Sequence, residues 1–180
     1  MTRILKPDFF NRSAVVVARE LIGKVLVRRL GKLVVKVAIT ETEAYEGPHD
    51  LASHASKGET KRTKPMFDSA GYLYIYLVYG MYEMLNVVTG KRGHPGAVLI
   101  RSVEMAGGRL NGPGRVSKAL KITRRLNHQL ATPEVGLWFE KSNEKISKNK
   151  IKRTPRIGVA YSGVVWSKKL YRFVRTAAKP

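Results

Sequence analysis

One long run of strand-forming residues constrains the fold of this chain more than any other feature. The pattern predicts a strand over residues 33–45, which a Gly-Pro pair then ends. Because side chains alternate between the two faces of a strand, Glu41, Glu43 and Tyr45 are expected on one face. A carboxylate beside a stacking ring is what an enzyme that acts on a planar base requires.

Strands dominate the rest of the chain, with few helices between them. The patterns predict strands over residues 24–30 and 97–103, a strand–turn–strand unit over 71–86, and a final strand pair over 156–161 and 170–174. Helices are predicted over residues 15–22, with Ser13 as the N-cap, and over 115–122. Polar segments over residues 49–68 and 141–152 are predicted as loops, the first with a short helix. Long antiparallel strands with few helices predict one α+β domain over residues 1–180.

The charge of the chain favours a polyanionic partner. Lysine and arginine outnumber aspartate and glutamate by 34 to 13, which gives a net charge of +21 over 180 residues. Nucleic acid is the first candidate, and a ribosomal-type basic protein or a charge bias of the host are the alternatives. In so basic a chain, two acids as close as Glu41 and Glu43 need a functional or structural reason.

Composition excludes several classes of protein. Cysteine is absent, which rules out disulfides, thiolate nucleophiles and zinc sites with cysteine ligands. With four histidines, a histidine-rich metal site is not expected. Residues 1–10 carry no secretion signal, and no apolar run is long enough to span a bilayer. The protein is therefore expected to be soluble and intracellular, in the cytoplasm or nucleoid if its source is prokaryotic, and not secreted.

Tyrosines cluster in one short segment. Five of the eight lie within residues 72–82, and most of these are expected on a half-buried strand. Tyr79 differs because it precedes Gly80 at the predicted turn, where a bulky ring cannot easily join the core. There Tyr79, with Met81 beside it, suits a wedge that enters a minor groove and separates bases. Two hypotheses then compete: a non-catalytic nucleic-acid binder, and a base-flipping enzyme in which Glu43 acts on the extruded nucleotide.

Ordered motifs along nearly the whole chain resemble the alkyladenine (3-methyladenine) DNA glycosylase family, of the methylpurine-DNA glycosylase type. They are FFNR at residues 9–12, VARELIGK at 17–24, ETEAY at 41–45, GP-x-D at 47–50, His54, GYLYIYLVYGMY at 71–82 with Asn86, VLIR at 98–101, GPGR at 112–115, KAL at 118–120 and RIGV at 156–159. Two positions depart from the family pattern. The family usually has Asn where this chain has Thr63, and Pro where it has Met105.

The resemblance implies a fold and a reaction. The expected fold is a single α+β domain with a curved antiparallel β-sheet, flanking helices and a protruding β-hairpin that inserts into DNA. The expected activity is that of a monofunctional DNA glycosylase, which hydrolyses the N-glycosidic bond of damaged purines and leaves an abasic site. Water is the nucleophile in this family, so no metal and no cofactor is expected. The partner is expected to be double-stranded DNA containing damaged purines, with no membrane, and the protein is expected to be a monomer.

The resemblance also assigns roles to individual residues. Glu43 is the general base that activates water, and Glu41 is then a structural partner of a nearby arginine. The base pocket is formed by Tyr45, His54, Tyr76 and Asn86, in which Asn86 crowds the 2-amino group of normal guanine. Tyr79 and Met81 are the intercalating residues. Phosphate and DNA contacts are expected from Arg101, Arg62, Lys57, Lys61 and Lys64.

Overall fold

An open antiparallel sheet forms the centre of the computed structural model, which describes residues 3–144 and 146–176. Among the described residues the strands are β1 Val25–Leu30, β2 Leu33–Glu46, β3 Leu73–Val78, β4 Tyr82–Thr89, β5 Gly96–Met105, β6 Gly108–Asn111, β7 Leu137–Glu140, β8 Ile151–Thr154 and β9 Arg172–Arg175. The helices are α1 Pro7–Phe10, α2 Ala14–Leu21, α3 Pro113–Ala119 and α4 Gly163–Ser167. The predicted α+β single domain is confirmed.

The long strand β2 is central to the sheet. The main strand order is β3-β4-β5-β2-β1-β7. In addition, β6 pairs with β5, and β9 pairs with both β2 and β8. On one side β2 pairs with β5, whereas on the other side its first half pairs with β1 and Glu41 to Glu43 pair with β9. A shift in register with β5 at Glu41 marks a β-bulge, which bends a strand locally. Glu43 therefore lies inside the sheet, with Leu99 opposite it on β5 and Arg172 on β9.

Helix α2 covers the apolar face of this sheet. Its buried residues Ala14, Val17, Ala18 and Leu21 follow the helical spacing i, i+3, i+4 and i+7. They join a core that includes Leu26, Ile39, Ile100, Phe139 and Phe173. The Thr42 hydroxyl donates to the Ala18 carbonyl at 2.8 Å, which fastens the helix to the part of β2 that carries Glu43.

The predicted start of α2 is confirmed to within one residue, but its cap differs from the prediction. Ser13 makes no side-chain cap hydrogen bond. Instead its hydroxyl donates to Glu46 Oε2, and the same oxygen accepts from the Val15 N–H at 2.9 Å. The end of β2 thus supplies the capping group that a local serine was expected to provide.

The predicted hairpin is present, and the predicted final strand pair is partly wrong. β3 and β4 pair from Leu73–Val87 to Val78–Tyr82, as expected from residues 71–86. Residues 156–161 form no strand, because Pro155 lacks an N–H, Gly158 has a left-handed φ of 74° and Arg156 turns inward to a buried ion pair. β9 pairs instead with β8, whose first two residues, Ile151 and Lys152, belong to the segment that was predicted as a loop.

Candidate active site

A cavity of about 350 Å³ opens beside the β3–β4 hairpin, within the size range of small-ligand sites. Its walls come from β2, β3, β4 and β5, from the loop around Ser53, and from the segment that follows Arg156. Aromatic and polar side chains face it together, including Tyr45, His54, Tyr74, Tyr76, Asn86, Arg101 and Tyr161. The structure thus brings together all four predicted pocket residues and Arg101, which are far apart in sequence.

Glu43 lies directly behind this cavity with a side chain that is 0% exposed. Among the described residues, three groups donate to its carboxylate. The Ile157 N–H donates to Oε1 at 2.8 Å, while the Tyr45 hydroxyl at 3.1 Å and Arg101 Nη1 at 3.2 Å donate to Oε2. All three donors belong to residues that line the cavity.

The environment of Glu43 makes it a stronger base than an exposed carboxylate. Burial raises its pKa above the ordinary value of 4.5, and the nearby charge of Glu41 adds to that rise. Arg101, the Ile157 N–H and the Tyr45 hydroxyl oppose the rise, because each stabilises the charged form. The result is a buried proton acceptor that is still held in place by cationic and polar donors.

Glu41 has the structural role that was predicted for it. Its Oε1 accepts from Arg101 Nε at 3.0 Å and from Arg172 Nη1 at 2.9 Å. Its other oxygen accepts from the Ser102 hydroxyl at 2.7 Å. Although burial alone would raise the pKa of Glu41, these hydrogen bonds and charges lower it below 4.5. Two carboxylates on one face of β2 therefore have pKa values shifted in opposite directions, so Glu43 is the better base of the two.

Tyr45 is held from behind by a buried ion pair that joins three segments. Arg156 lies 4.9 Å from the Tyr45 ring centre, and its Nη2 donates to Asp50 Oδ1 at 2.8 Å. Arg156 Nη1 also donates to the Ala44 carbonyl, and Asp50 accepts from the backbone N–H groups of Glu46 and Ala52. This ion pair fixes the end of β2 and the turn that leads to His54. It also fixes the backbone at Arg156, and the N–H of the next residue, Ile157, donates to Glu43.

His54 stands against two tyrosines of β3. Its Nδ1 is 3.0 Å from the Tyr74 hydroxyl, and its ring centre is 4.6 Å from that of Tyr76. Burial, with a smaller contribution from the charge of Arg62, lowers the pKa of His54 from 6.5 to about 4. His54 is therefore neutral at physiological pH. The guanidinium of Arg62 also lies 5.3 Å from the Tyr76 ring centre, at the edge of the cavity.

Asn86 is buried and fixed in orientation. Its amide nitrogen donates to the backbone carbonyls of Tyr74 and Met84, both at 3.1 Å. Asn86 pairs with Tyr74 across the β3–β4 hairpin and with Leu99 on β5, so its backbone is held on both sides. Such a side chain can act as a rigid wall of the cavity.

The hairpin tip exposes the two predicted wedge residues. Tyr79 is 86% exposed and Met81 is 67% exposed, and Val78 and Tyr79 extend the cavity wall toward the tip. Tyr79 has a φ of 51° and Gly80 a φ of 70°. A left-handed tyrosine is unusual and strained, and strain of this kind tends to be retained at functional positions.

The predicted cationic residues form two groups. Lys57, Lys61, Arg62 and Lys64 are exposed: Lys57 ends the 3₁₀ turn His54–Lys57, Lys64 begins the 3₁₀ turn Lys64–Phe67, and Lys61 and Arg62 lie in the turn between these two. Arg101 is instead mostly buried, because its guanidinium is bound to Glu41 and Glu43. Its predicted contact with a phosphate stays a prediction. Thr63, which departs from the family pattern, is buried and its hydroxyl donates to the Gly58 carbonyl at 3.0 Å, so it closes the turn of this loop.

Ile157 is the site residue that sequence reasoning missed. Its backbone N–H donates to Glu43 across 114 positions of sequence, and no side-chain pattern signals a backbone donor. The RIGV motif at residues 156–159 was the available signal, because Gly158 follows Ile157 and a glycine allows the backbone to turn so that a neighbouring N–H is free to donate.

Among residues 3–144 and 146–176, no group of three or more His, Asp or Glu side chains is arranged to hold a metal ion. No helix in the same ranges is long and apolar enough to cross a membrane.

Comparison with known proteins identifies the relatives of this chain. The family described as methylpurine-DNA glycosylase (MPG) matches residues 8–179. A Legionella pneumophila (strain Paris) protein named "Putative 3-methyladenine DNA glycosylase" is 47% identical over 177 residues, covering 96% of this chain and 94% of its own. Proteins with the same name from Myxococcus xanthus and Methanocella arvoryzae are 45% and 43% identical. The alignments cover 93% and 89% of this chain, and 88% and 86% of those relatives.

Proposed function

The chain belongs to the methylpurine-DNA glycosylase family and is a DNA glycosylase that hydrolyses N-glycosyl bonds, and from this premise we propose that it removes damaged purines flipped out of duplex DNA. The observation that carries the proposal is Glu43, a buried carboxylate whose donors line an aromatic cavity. The proposed product is an abasic site, with water as the nucleophile and no strand cleavage.

In the proposed reaction, Glu43 is the general base. Cleavage of the glycosidic bond develops positive charge on the sugar, and a nearby carboxylate both accepts a proton from water and stabilises that charge. The raised pKa of Glu43 supports this role, because a stronger base takes the proton more readily. Arg101 supports it further by holding one oxygen of the carboxylate in a fixed place.

The flipped base is proposed to stack between Tyr45, His54 and Tyr76. Electron-rich rings suit alkylated purines, whose positive charge adds a cation–π attraction. A neutral His54 favours this arrangement, since a protonated ring would repel a cationic base. The rigid side chain of Asn86 is proposed to exclude normal guanine by crowding its 2-amino group, which a stacking pocket alone would admit.

Tyr79 is proposed to occupy the gap in the base stack after the nucleotide leaves it, with Met81 as a second wedge. The exposure of both side chains at a hairpin tip supports this role. Arg62, Lys57, Lys61 and Lys64 are proposed to contact the DNA backbone, and Arg101 is proposed to lie near the phosphate of the flipped nucleotide. The exposed lysines lie on the same loop as His54, which supports a path of the DNA backbone along that loop.

The proposed substrates are 3-methyladenine, 7-methylguanine, hypoxanthine and ethenoadenine. The cationic lesions leave as neutral bases, whereas the neutral lesions need protonation of the leaving group. A direct test is to incubate the protein with duplexes that carry one 7-methylguanine, hypoxanthine or ethenoadenine, and to divide each product before heating in alkali. We expect strand breaks after alkali alone. Strand breaks without alkali would contradict the monofunctional reaction, and no base release from any lesion would contradict the substrate class.

A further inference from the structure

The wall of the cavity continues along the chain into an exposed apolar surface that the proposed function does not use. Tyr161, Val164 and Val165 are 69%, 71% and 66% exposed, and we call these three residues the C-terminal strip. None of residues 157–167 is charged, although 26% of the whole chain is. Exposed apolar side chains that lie close together in an otherwise charged surface mark a place where another molecule binds.

Hydrogen bonds at both ends hold the C-terminal strip in place. The Tyr161 hydroxyl donates to the Ala52 carbonyl at 2.8 Å, and Ala52 is itself part of the cavity wall. Just beyond the strip, Arg156 Nη2 donates to the Trp166 carbonyl at 3.3 Å. The exposed side chains of the strip are therefore presented in a defined position beside the cavity.

Two observations point to DNA as the molecule that covers the strip. Tyr161 also lines the cavity, so a protein seated on the strip would obstruct the entry of a nucleotide, whereas the DNA that supplies the nucleotide would not. The charge of the segment agrees, because no aspartate or glutamate follows Glu144 in the sequence, and Lys168 and Lys169 are exposed just after the strip. Apolar side chains next to lysines suit a DNA strand, which offers the carbon edges of its sugars and the charge of its phosphates.

The strip lies within reach of the nucleotides that flank a flipped one. Three residues of chain lead from Tyr161 to Val164, and they span at most about 11 Å. Successive phosphates of one strand lie about 3.4 Å apart along the duplex axis, so this distance corresponds to about three nucleotides. A duplex with one nucleotide in the cavity beside Tyr161 can therefore place flanking nucleotides on Val164.

We propose that the C-terminal strip is a further DNA-contacting surface, beside the hairpin tip and the lysine-rich loop that precedes β3. The inference rests on the proposed function, because the cavity must receive the flipped nucleotide. Tyr161, Val164 and Val165 pack on the sugar edges of the strand that carries the lesion, and Lys168 binds a phosphate next to them. These contacts are with the backbone, so they do not depend on the base sequence.

A single thiol tests whether DNA covers the strip, because the chain has no cysteine of its own. The measured quantity is the rate at which a maleimide alkylates Val164→Cys, with and without a duplex that carries one tetrahydrofuran abasic-site analogue. At a duplex concentration about ten times Kd, we expect alkylation to slow by about tenfold, since about nine-tenths of the protein is then bound. An unchanged rate would overturn the proposal and leave the strip to another kind of partner.

Leu33→Cys is the matched control. Leu33 is 61% exposed, similar to Val164, but it lies at the start of β2, roughly 30 Å along the strand from Glu43. We expect the duplex to leave its alkylation rate unchanged. Equal protection at both positions would assign the effect to the charge of the DNA as a whole and overturn the proposal.

Lys168→Gln gives a second readout with the same duplex. We expect it to reduce the size of the salt slope of DNA affinity by about 1, and an unchanged slope would overturn the phosphate contact. Because the analogue has no base to release, both measurements are independent of catalysis. A protein that protects the thiol but releases no base from any lesion would fail the proposed function alone.

Discussion

Burial has two opposite consequences for Glu43, one for its basicity and one for the stability of the fold. Removal from water makes the carboxylate a stronger base, whereas an isolated buried charge would destabilise the fold. The structure resolves this with donors from three segments, Tyr45 on β2, Arg101 on β5 and the backbone of Ile157. Glu41 forms ion pairs with both Arg101 and Arg172 and so balances their positive charge. The site is thus a small ion network in which one carboxylate remains basic.

His54 gives a prediction about stability and pH. Because burial lowers its pKa from 6.5 to about 4, the unfolded chain binds a proton on this ring more readily than the folded protein does. The free energy of unfolding should therefore decrease as the pH falls from about 6.5 to about 4. Denaturant titrations of the wild type and His54→Gln across this interval measure the contribution. We expect a smaller decrease in the variant, and identical pH dependence would contradict the shift.

Asn86 gives a prediction about selectivity. Replacing it with serine shortens the side chain and removes its contacts with the Tyr74 and Met84 carbonyls. We expect Asn86→Ser to release guanine from mismatched pairs measurably faster than the wild type, by about tenfold if one steric contact is relieved. Release of hypoxanthine, which has no 2-amino group, is the internal control. An unchanged ratio of guanine to hypoxanthine release would show that Asn86 is not the selecting group.

At the scale of elements, the hairpin β3–β4 exposes a strained tip for which packing gives no reason. Tyr79 has a φ of 51° with its side chain in solvent, so neither the core nor the sheet benefits from the ring. A left-handed conformation costs a bulky residue roughly 1 kcal/mol or more, whereas asparagine tolerates it. The tip is better explained by a partner than by folding.

Tyr79→Asn separates these two effects. We expect the free energy of unfolding to rise by about 1 kcal/mol, because the strain is relieved. Binding to a lesion duplex should weaken more than binding to a single strand that carries the same lesion, because only the duplex has a stack to fill. Denaturant unfolding and fluorescence anisotropy measure the two quantities. An equal loss of affinity on both DNA forms would contradict the wedge role.

The local sequence pattern predicted the strands that carry the site better than it predicted the structure of the C-terminal third of the chain. Alternation correctly placed Glu41, Glu43 and Tyr45 on one face of β2, because periodicity is a local property. The strand predicted over residues 156–161 was wrong, because a long-range ion pair with Asp50 decides that segment. Likewise, β7 Leu137–Glu140 is short, and its pairing with β1 is not visible in the local sequence.

The same division applies to the candidate site. Residue types and the family resemblance singled out the carboxylate, the rings of the cavity and the exposed residues of the hairpin tip. They did not reveal how deeply Glu43 is buried, nor that Arg101 is held by two glutamates, since both depend on contacts across 58 to 114 positions of sequence. The roles of the remaining site residues stay predictions for mutagenesis.

At the scale of the whole molecule, the net charge of +21 should set the strength of DNA binding. Each neutralised phosphate releases counterions, so the logarithm of affinity should fall linearly with the logarithm of salt concentration, with a slope of about −0.9 per contact. We expect Lys61→Gln to reduce the size of that slope by about 1. Lys148→Gln, beside a second cavity, should leave it unchanged. A flat salt response of the wild type would contradict backbone contact.

The most direct test of the account is base release by Glu43→Gln from a duplex that carries one 7-methylguanine. We expect the rate to fall by at least about 100-fold, while the affinity for the duplex persists or improves because a negative charge near DNA has been removed. Glu41→Gln, the matched change two residues away, should retain more activity, since Glu41 is bound to two arginines and a serine. Wild-type release by Glu43→Gln would contradict the assignment of the general base.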